Sequence, residues 1–125
     1  MTAEAVFSAT IDPVRNLARV RFAGDFTGPA MGPAVTKVQK LLPALKPGFT
    51  VFADFGQVTS MDLDCVQPLT RIMDLCRAAG IGMIVRILPP SDRDIGIKLL
   101  GIVHYRGKVK TMTVDNLEEA ERALS

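Results

Sequence analysis

Residues 50–66, TVFADFGQVTSMDLDCV, constrain the fold most, because a buried-strand pattern gives way there to a helical one. Residues 50–55 form an apolar run rich in β-branched and aromatic side chains, preceded by the punctuation Pro47-Gly48, and read as a buried parallel strand. From Val66 onward, Val66, Leu69, Ile72, Met73, Cys76 and Ala79 recur at helical spacing, which marks one face of an α-helix. The strand must therefore feed the helix through residues 56–64. In open α/β sheets the loops that follow strand ends gather on one side, and sites are built there. Position alone makes this acidic turn the candidate functional surface.

The flanking segments supply the rest of an α/β order. Residues 5–11 and 17–23 are short strand-like runs separated by Asp12-Pro13 and Asn16, the pattern of an antiparallel hairpin. Residues 29–45 carry Met31, Val35, Val38, Leu41, Leu42 and Leu45 at helical spacing, and Pro33 and Pro43 confine the regular part to the stretch between them. Residues 82–88, GMIVRIL, read as a second buried strand ended by Pro89-Pro90. Ser91 followed by Asp94 has the pattern of an N-terminal cap and opens a helix through about residue 103. Residues 108–114 alternate imperfectly and suggest an edge strand. Asp115 or Asn116 then caps a last helix whose first turn carries Glu118 and Glu119, favourable beside the positive helix end. The order β-β-α-β-α-β-α-β-α implies an α/β domain over residues 1–125, with a mixed, mostly parallel sheet, a leading β-hairpin and about four helices.

Composition narrows the function classes. With 48 % hydrophobic and 22 % charged residues, the chain has ordinary globular composition. Apolar runs such as residues 81–85 fall far short of the roughly 18 residues that a membrane span requires. No secretory signal pattern is visible, so the expectation is a cytoplasmic protein without membrane insertion. A net charge of +2 is too small to argue for nucleic acid, although Arg106, Lys108 and Lys110 cluster beside His104. Cys65 and Cys76 fall on one predicted helix, about 16 Å apart, beyond the roughly 7 Å that a disulfide tolerates. Buried free thiols are expected. No second Cys or His pair stands at metal-ligand spacing, so neither metal nor cofactor is expected. The glycines form no dinucleotide- or phosphate-binding pattern, Ser60 lacks a nucleophile-elbow setting, and His104 lies in a separate segment. A binding role is read rather than an enzyme, and no residue is assigned as catalytic.

The order of elements, with Asp54 at the end of a strand and an acidic turn before the second helix, resembles STAS domains, the modules of anti-sigma factor antagonists and of sulphate transporter tails. In that family the segment runs D-L-S-G-V-x-x-I-D-S-S-G-L. Asp54, Val58 and Asp62 coincide with it, and Met61 and Val66 are apolar equivalents. Phe22-Ala23-Gly24-Asp25-Phe26 is similar to the family's L-x-G-E-L, and Leu99-Leu100-Gly101-Ile102 to its M-S-G-L stretch. The resemblance spans nearly the whole chain. It implies a protein–protein interaction module of bacterial signal transduction and transcription regulation that docks on an anti-sigma factor or serine kinase-like partner, and it leaves a homodimer open.

The departures are as informative. Where the antagonists carry the serine that a partner kinase phosphorylates, this chain has Leu63, which has no hydroxyl and accepts no phosphate. Asp64 and Cys65 replace the serine and glycine that follow. A carboxylate supplies only part of the about −1.5 to −2 charge of phosphoserine, so imitation of a modified state by Asp64 stays an open option. Capping accounts for at least one carboxylate, since Asp62 or Asp64 can accept backbone N–H bonds at the helix start. Pro68 favours Asp64 as the cap, because its ring acts on the residue four before it, and Asp62 is then freer for a partner. Asp54 reads as structural or as positioned at the strand end, and Thr59 and Ser60 as turn hydroxyls. By resemblance, the docking surface comprises residues 56–66 and the exposed face of the following helix. Asp25, Thr59, Ser60, Met61, Asp62, Leu63 and Asp64 are its contacts, with residues 24–29 at the rim. Two alternatives are a scaffold or sensor subunit of a signalling complex, and a transporter-accessory domain that binds a small anion or lipid at the N-terminus of the second helix. Asp62 and Asp64 would repel the anion.

Overall fold

The computed structural model describes residues 4–90, 93–95 and 109–125. A hairpin of β1 (Val6–Asp12) and β2 (Leu17–Phe26) leads into α1 (Gly32–Leu41), β3 (Thr50–Met61), α2 (Val66–Ala79) and β4 (Met83–Ile87). A short β5 (Asp94–Ile95), then β6 (Lys110–Val114) and α3 (Leu117–Leu124), complete the described elements. The sheet order is β1-β2-β3-β4-β6, with β5 added beside the far end of β3. Among the described strands only β1 runs antiparallel to its neighbour, and the other described pairings are parallel. This is the mixed, mostly parallel sheet with a leading hairpin that the sequence predicts. Among the described residues no helix is long and apolar enough to cross a membrane.

Hydrophobic alternation assigns the two faces. Ala18 and Phe22 of β2, Val51, Ala53 and Phe55 of β3 and Ile84 of β4 face one core, which α1 and α2 cover with Ala34, Val38, Leu69, Met73 and Cys76. Two successive crossovers that step in the same direction across a sheet place their helices on one side, because such crossovers share a hand. Leu17, Phe52, Val85 and Ile87 point the other way and pack with Ala120 of α3. Arg19 of β2 makes a two-pronged ion pair with Glu121, and Arg15 Nη2 donates to the Leu124 carbonyl at 2.8 Å. These contacts fasten the C-terminal helix to the hairpin.

Local chemistry explains the boundaries. Asn16 adopts φ 52° in the hairpin turn, and its side chain also exchanges two hydrogen bonds with the Lys46 backbone ahead of β3. Pro33 sits in the first turn of α1, where its missing N–H costs nothing, and Pro43 lies in the 3-10 turn that ends it. Asn116 caps α3 by accepting from the Glu119 N–H at 2.9 Å, while the Glu119 carboxylate accepts from Asp115.

Two expectations are corrected. Asp94, read as part of a helix start, lies in β5 opposite Ser60. The reason is that β3 extends well beyond β4, and its exposed backbone groups take a second partner. In addition, β3 does not stop near residue 55 but continues to Met61, so most of the expected turn is strand. Three α-helices lie within the described residues. Ser91, the helix expected up to about residue 103, the 99–102 stretch, His104, Arg106 and Lys108 lie outside them.

Phe22 is the hub of the larger core. Its ring stacks on Phe55 at 4.7 Å between centroids and also contacts Phe7 at 4.9 Å and Phe26 at 5.6 Å. Replacing Phe22 by Ala is expected to cost about 3–5 kcal/mol in urea unfolding. A loss below about 1 kcal/mol would mean that the aromatic cluster is not what holds β1, β2 and β3 together.

Candidate functional site

The site end of the molecule is shaped by two irregularities in the β2–β3 ladder. β2 keeps a regular alternation, whereas the inward residues of β3 are Val51, Ala53, Phe55, Val58 and Met61, so the spacing lengthens from two to three after Phe55 and again after Val58. The pairing register shifts at the same places, between Arg21 and Ala23 and between Gly24 and Asp25. Each shift inserts one extra β3 residue, a β-bulge, which rotates the following side chains by one position.

The first bulge contains Gly56. Asp54 Oδ1 accepts its N–H at 2.8 Å, and a Cβ on Gly56 would sit 3.1 Å from that oxygen and 3.2 Å from Ile87. Buried Asp54 is therefore a mid-strand brace for the bulge, a structural role, but not a strand-end residue. The second bulge is at Thr59. Adjacent strand residues normally face opposite sides, yet Thr59 Oγ1 and Ser60 Oγ both donate to Asp25 Oδ1, at 2.6 and 2.7 Å. The extra residue turns both hydroxyls toward β2. Asp25 thus ties the two strand ends together, and Thr59 and Ser60 are half-buried members of that latch.

Beyond the latch, the Asp62 N–H donates to the Phe26 carbonyl at 3.0 Å, and the chain enters a 3-10 turn, Leu63–Cys65, that runs directly into α2. Asp62, Leu63 and Asp64 are exposed, and Leu63 shows 60 % of its surface. Met61, expected among the contacts, is buried in the core and supports the tip from below. The rim loop closes against the same turn. A Cβ on Gly28 would lie 2.9 Å from Asp64 Cβ and 3.0 Å from its carbonyl oxygen, so only glycine lets the β2–α1 loop approach this closely. A shallow groove lined by Gln67, Thr70, Arg71, Asp74 and Leu75 continues along the outer side of α2.

The capping expectation is corrected. Neither the 3-10 turn nor α2 has a side-chain cap, and the residue in extended conformation ahead of the helical stretch is Asp62, not Asp64. Pro68 stands in the first turn of α2, directly after the 3-10 turn. Both carboxylates are left on the surface.

Cys65 forms the fully buried floor of the turn, and Cys76 lies buried in α2; neither is in a disulfide. Burial first, then the neighbouring charges of Asp62 and Asp64, push the Cys65 thiol up to about 11, against a partial opposing pull from a hydrogen bond with the Asp62 backbone. Such a thiol is a packing residue with little nucleophilic character. Arg86, legible in the sequence only as a break in an apolar run, is buried; its Nε donates to Thr113 Oγ1 at 2.8 Å, and burial lowers its pKa. Among the described residues no group of three or more His, Cys, Asp or Glu stands in metal-binding proximity.

This arrangement is a SpoIIAA-like fold. The chain superposes on the anti-sigma factor antagonist SpoIIAA in its unphosphorylated form with a TM-score of 0.60 and 17 % identity, over 94 % of this chain and 96 % of that one. It also superposes on an uncharacterised DUF3478-family protein with a SpoIIAA-like fold from Shewanella loihica PV-4, with a TM-score of 0.68 and 8 % identity, over 100 % and 98 % of the two chains. No protein-family profile matches the sequence, and no curated protein matches it either. At such identities the likeness is one of fold.

Two outcomes test this geometry. Asp25→Ala should destabilise the protein by about 1–3 kcal/mol by stripping two hydroxyls of their acceptor, and adding Thr59→Val with Ser60→Ala should cost less than the sum of the separate changes. Strict additivity in chemical denaturation would contradict the latch. For Cys65, a folded pKa of about 11 lies above the roughly 8.5 of an unfolded thiol, so its contribution is complete below that lower value and is lost as pH rises through the higher one. Unfolding free energy should therefore fall more steeply over that alkaline window in the native chain than in Cys65→Ala. Equal slopes would contradict the burial of this thiol.

Proposed function

We propose that this chain is a non-catalytic protein-interaction module that docks through the Asp62–Leu63–Asp64 tip, with the Gly28 loop at its rim and the outer face of α2 beside it. The observation that carries the reading is an apolar side chain, Leu63, standing 60 % exposed between two exposed carboxylates on a turn braced from beneath. Exposed leucines are common singly, but one mounted on a latched, otherwise acidic turn has the makings of an interface anchor with charged flanks. The fitting partner offers an apolar pocket rimmed by Lys or Arg.

The likeness to SpoIIAA, described as an anti-sigma factor antagonist, supports a partner of the anti-sigma factor or serine kinase-like class. In this reading the contact is constitutive at residue 63, since a leucine offers no oxygen for phosphoryl transfer. Asp25, Thr59 and Ser60 act by shaping the tip from within, and Met61 by filling the core beneath it. The setting is cytoplasmic signal transduction and transcription regulation.

The test is calorimetric titration with a kinase-like protein encoded beside this chain. Leu63→Ala and Asp62→Lys should each weaken binding about tenfold or more, which corresponds to about 1.4 kcal/mol. Incubation with that partner and ATP should leave residue 63 unmodified, while Leu63→Ser restores an acceptor hydroxyl. Wild-type affinity in both Leu63→Ala and Asp62→Lys would sink the proposed surface.

A further inference from the structure

We infer that the outer edge of β1 is a self-association surface, on which a second copy of this chain pairs β1 to β1 in antiparallel fashion. Edge strands present unpaired N–H and C=O groups, and proteins that stay monomeric blunt them with lysines, prolines, bulges, short lengths or covering elements. β1 has none of the first four. It runs for seven residues, pairs with β2 in one unbroken register, and carries neither charge nor proline from Val6 to Ile11. Among the described residues it is also the terminal strand of the sheet order. The strand at the other end, β6, is five residues long and opens with an exposed Lys110. The contrast between the two edges singles out β1.

The side chains favour a second copy over an unrelated strand, and they select a register. Phe7 packs against Phe22 on the α1/α2 side of the sheet, whereas Val6, Ser8 and Thr10 are exposed on the opposite side, and Val6 keeps 50 % of its surface open. A twofold axis perpendicular to the sheet keeps these faces aligned in both copies, so residues meet in pairs of like parity. Centring the axis on Ser8 would set Glu4 opposite Asp12, a like-charge pair, which is unfavourable. Centring it on Ala9 sets Phe7 opposite Ile11, Ser8 opposite Thr10 and Val6 opposite Asp12, with no like charges facing. Registers displaced further shorten the pairing. The strand is thus self-complementary about Ala9, and the sheet continues across the two copies. The acidic tip at residues 62–64 takes no part in this contact, so the inference stands apart from the docking function.

Sedimentation velocity on the full chain from micromolar to millimolar concentration should show a monomer giving way to a dimer. Ser8→Lys combined with Thr10→Lys places four lysines across the axis at exposed positions, and should leave a folded monomer by circular dichroism at every concentration. Because both natural cysteines are buried, Ala9→Cys reports the register: it should oxidise to a cross-linked dimer faster than Val6→Cys. A native chain that stays monomeric throughout, a dimer that survives the double lysine change, or faster cross-linking at residue 6 would each overturn the proposal.

Discussion

The parallel pairing of β2 with β3 is the constraint on which the remaining structure depends. β2 supplies a regular alternation, while β3 carries two extra residues along the same ladder, and the mismatch is absorbed as two bulges. Below the first bulge the strands are ordinary core, with Phe22 stacked on Phe55 and the helices packed over them. Above it, each added residue swings the following side chains around the strand. Without the bulges Val58 and Met61 could not both fall inward, nor could Thr59 and Ser60 both reach Asp25.

Site and core are consequently one construction. Asp54 steadies the first bulge by accepting from Gly56, and Asp25 gathers the second by accepting from two hydroxyls. The Asp62 N–H then bonds to the Phe26 carbonyl, and Cys65 plugs the floor. Each inward-directed group leaves the tip with fewer ways to move, and the side chains outside this bracing, those of Asp62, Leu63 and Asp64, reach solvent. A surface whose conformation is settled in advance gives up less entropy when a partner arrives.

Much of the architecture was legible in the residues. The helical period from Val66, the Pro33 and Pro43 limits on α1, the β4 run and the Asn116 cap all appear where the pattern places them, because each is a local signal acting over a few residues. The far half of β3 was not legible, since the spacing Phe55, Val58, Met61 departs from the period of two that marks a strand, and only the pairing with β2 shows it to be two bulges. β5 was missed for a related reason: its two residues are a strand only because β3 outruns β4. Pro68 pointed toward a capping Asp64, but a 3-10 turn precedes α2 and neither element takes a side-chain cap.

The sequence by itself determined the α/β order of the described elements apart from β5, the limits of α1, the helical period of α2, the acidic character of the tip and the absence of a hydroxyl at residue 63, since these follow from residue identity and short-range spacing. Only the tertiary structure decided that Asp25 faces inward to Thr59 and Ser60, that Met61 is core, and that Leu63 stands on the surface. Those outcomes depend on which backbone groups of β2 remain opposite β3 after two register shifts. A bulge is a property of two strands together, and one strand's sequence does not contain it.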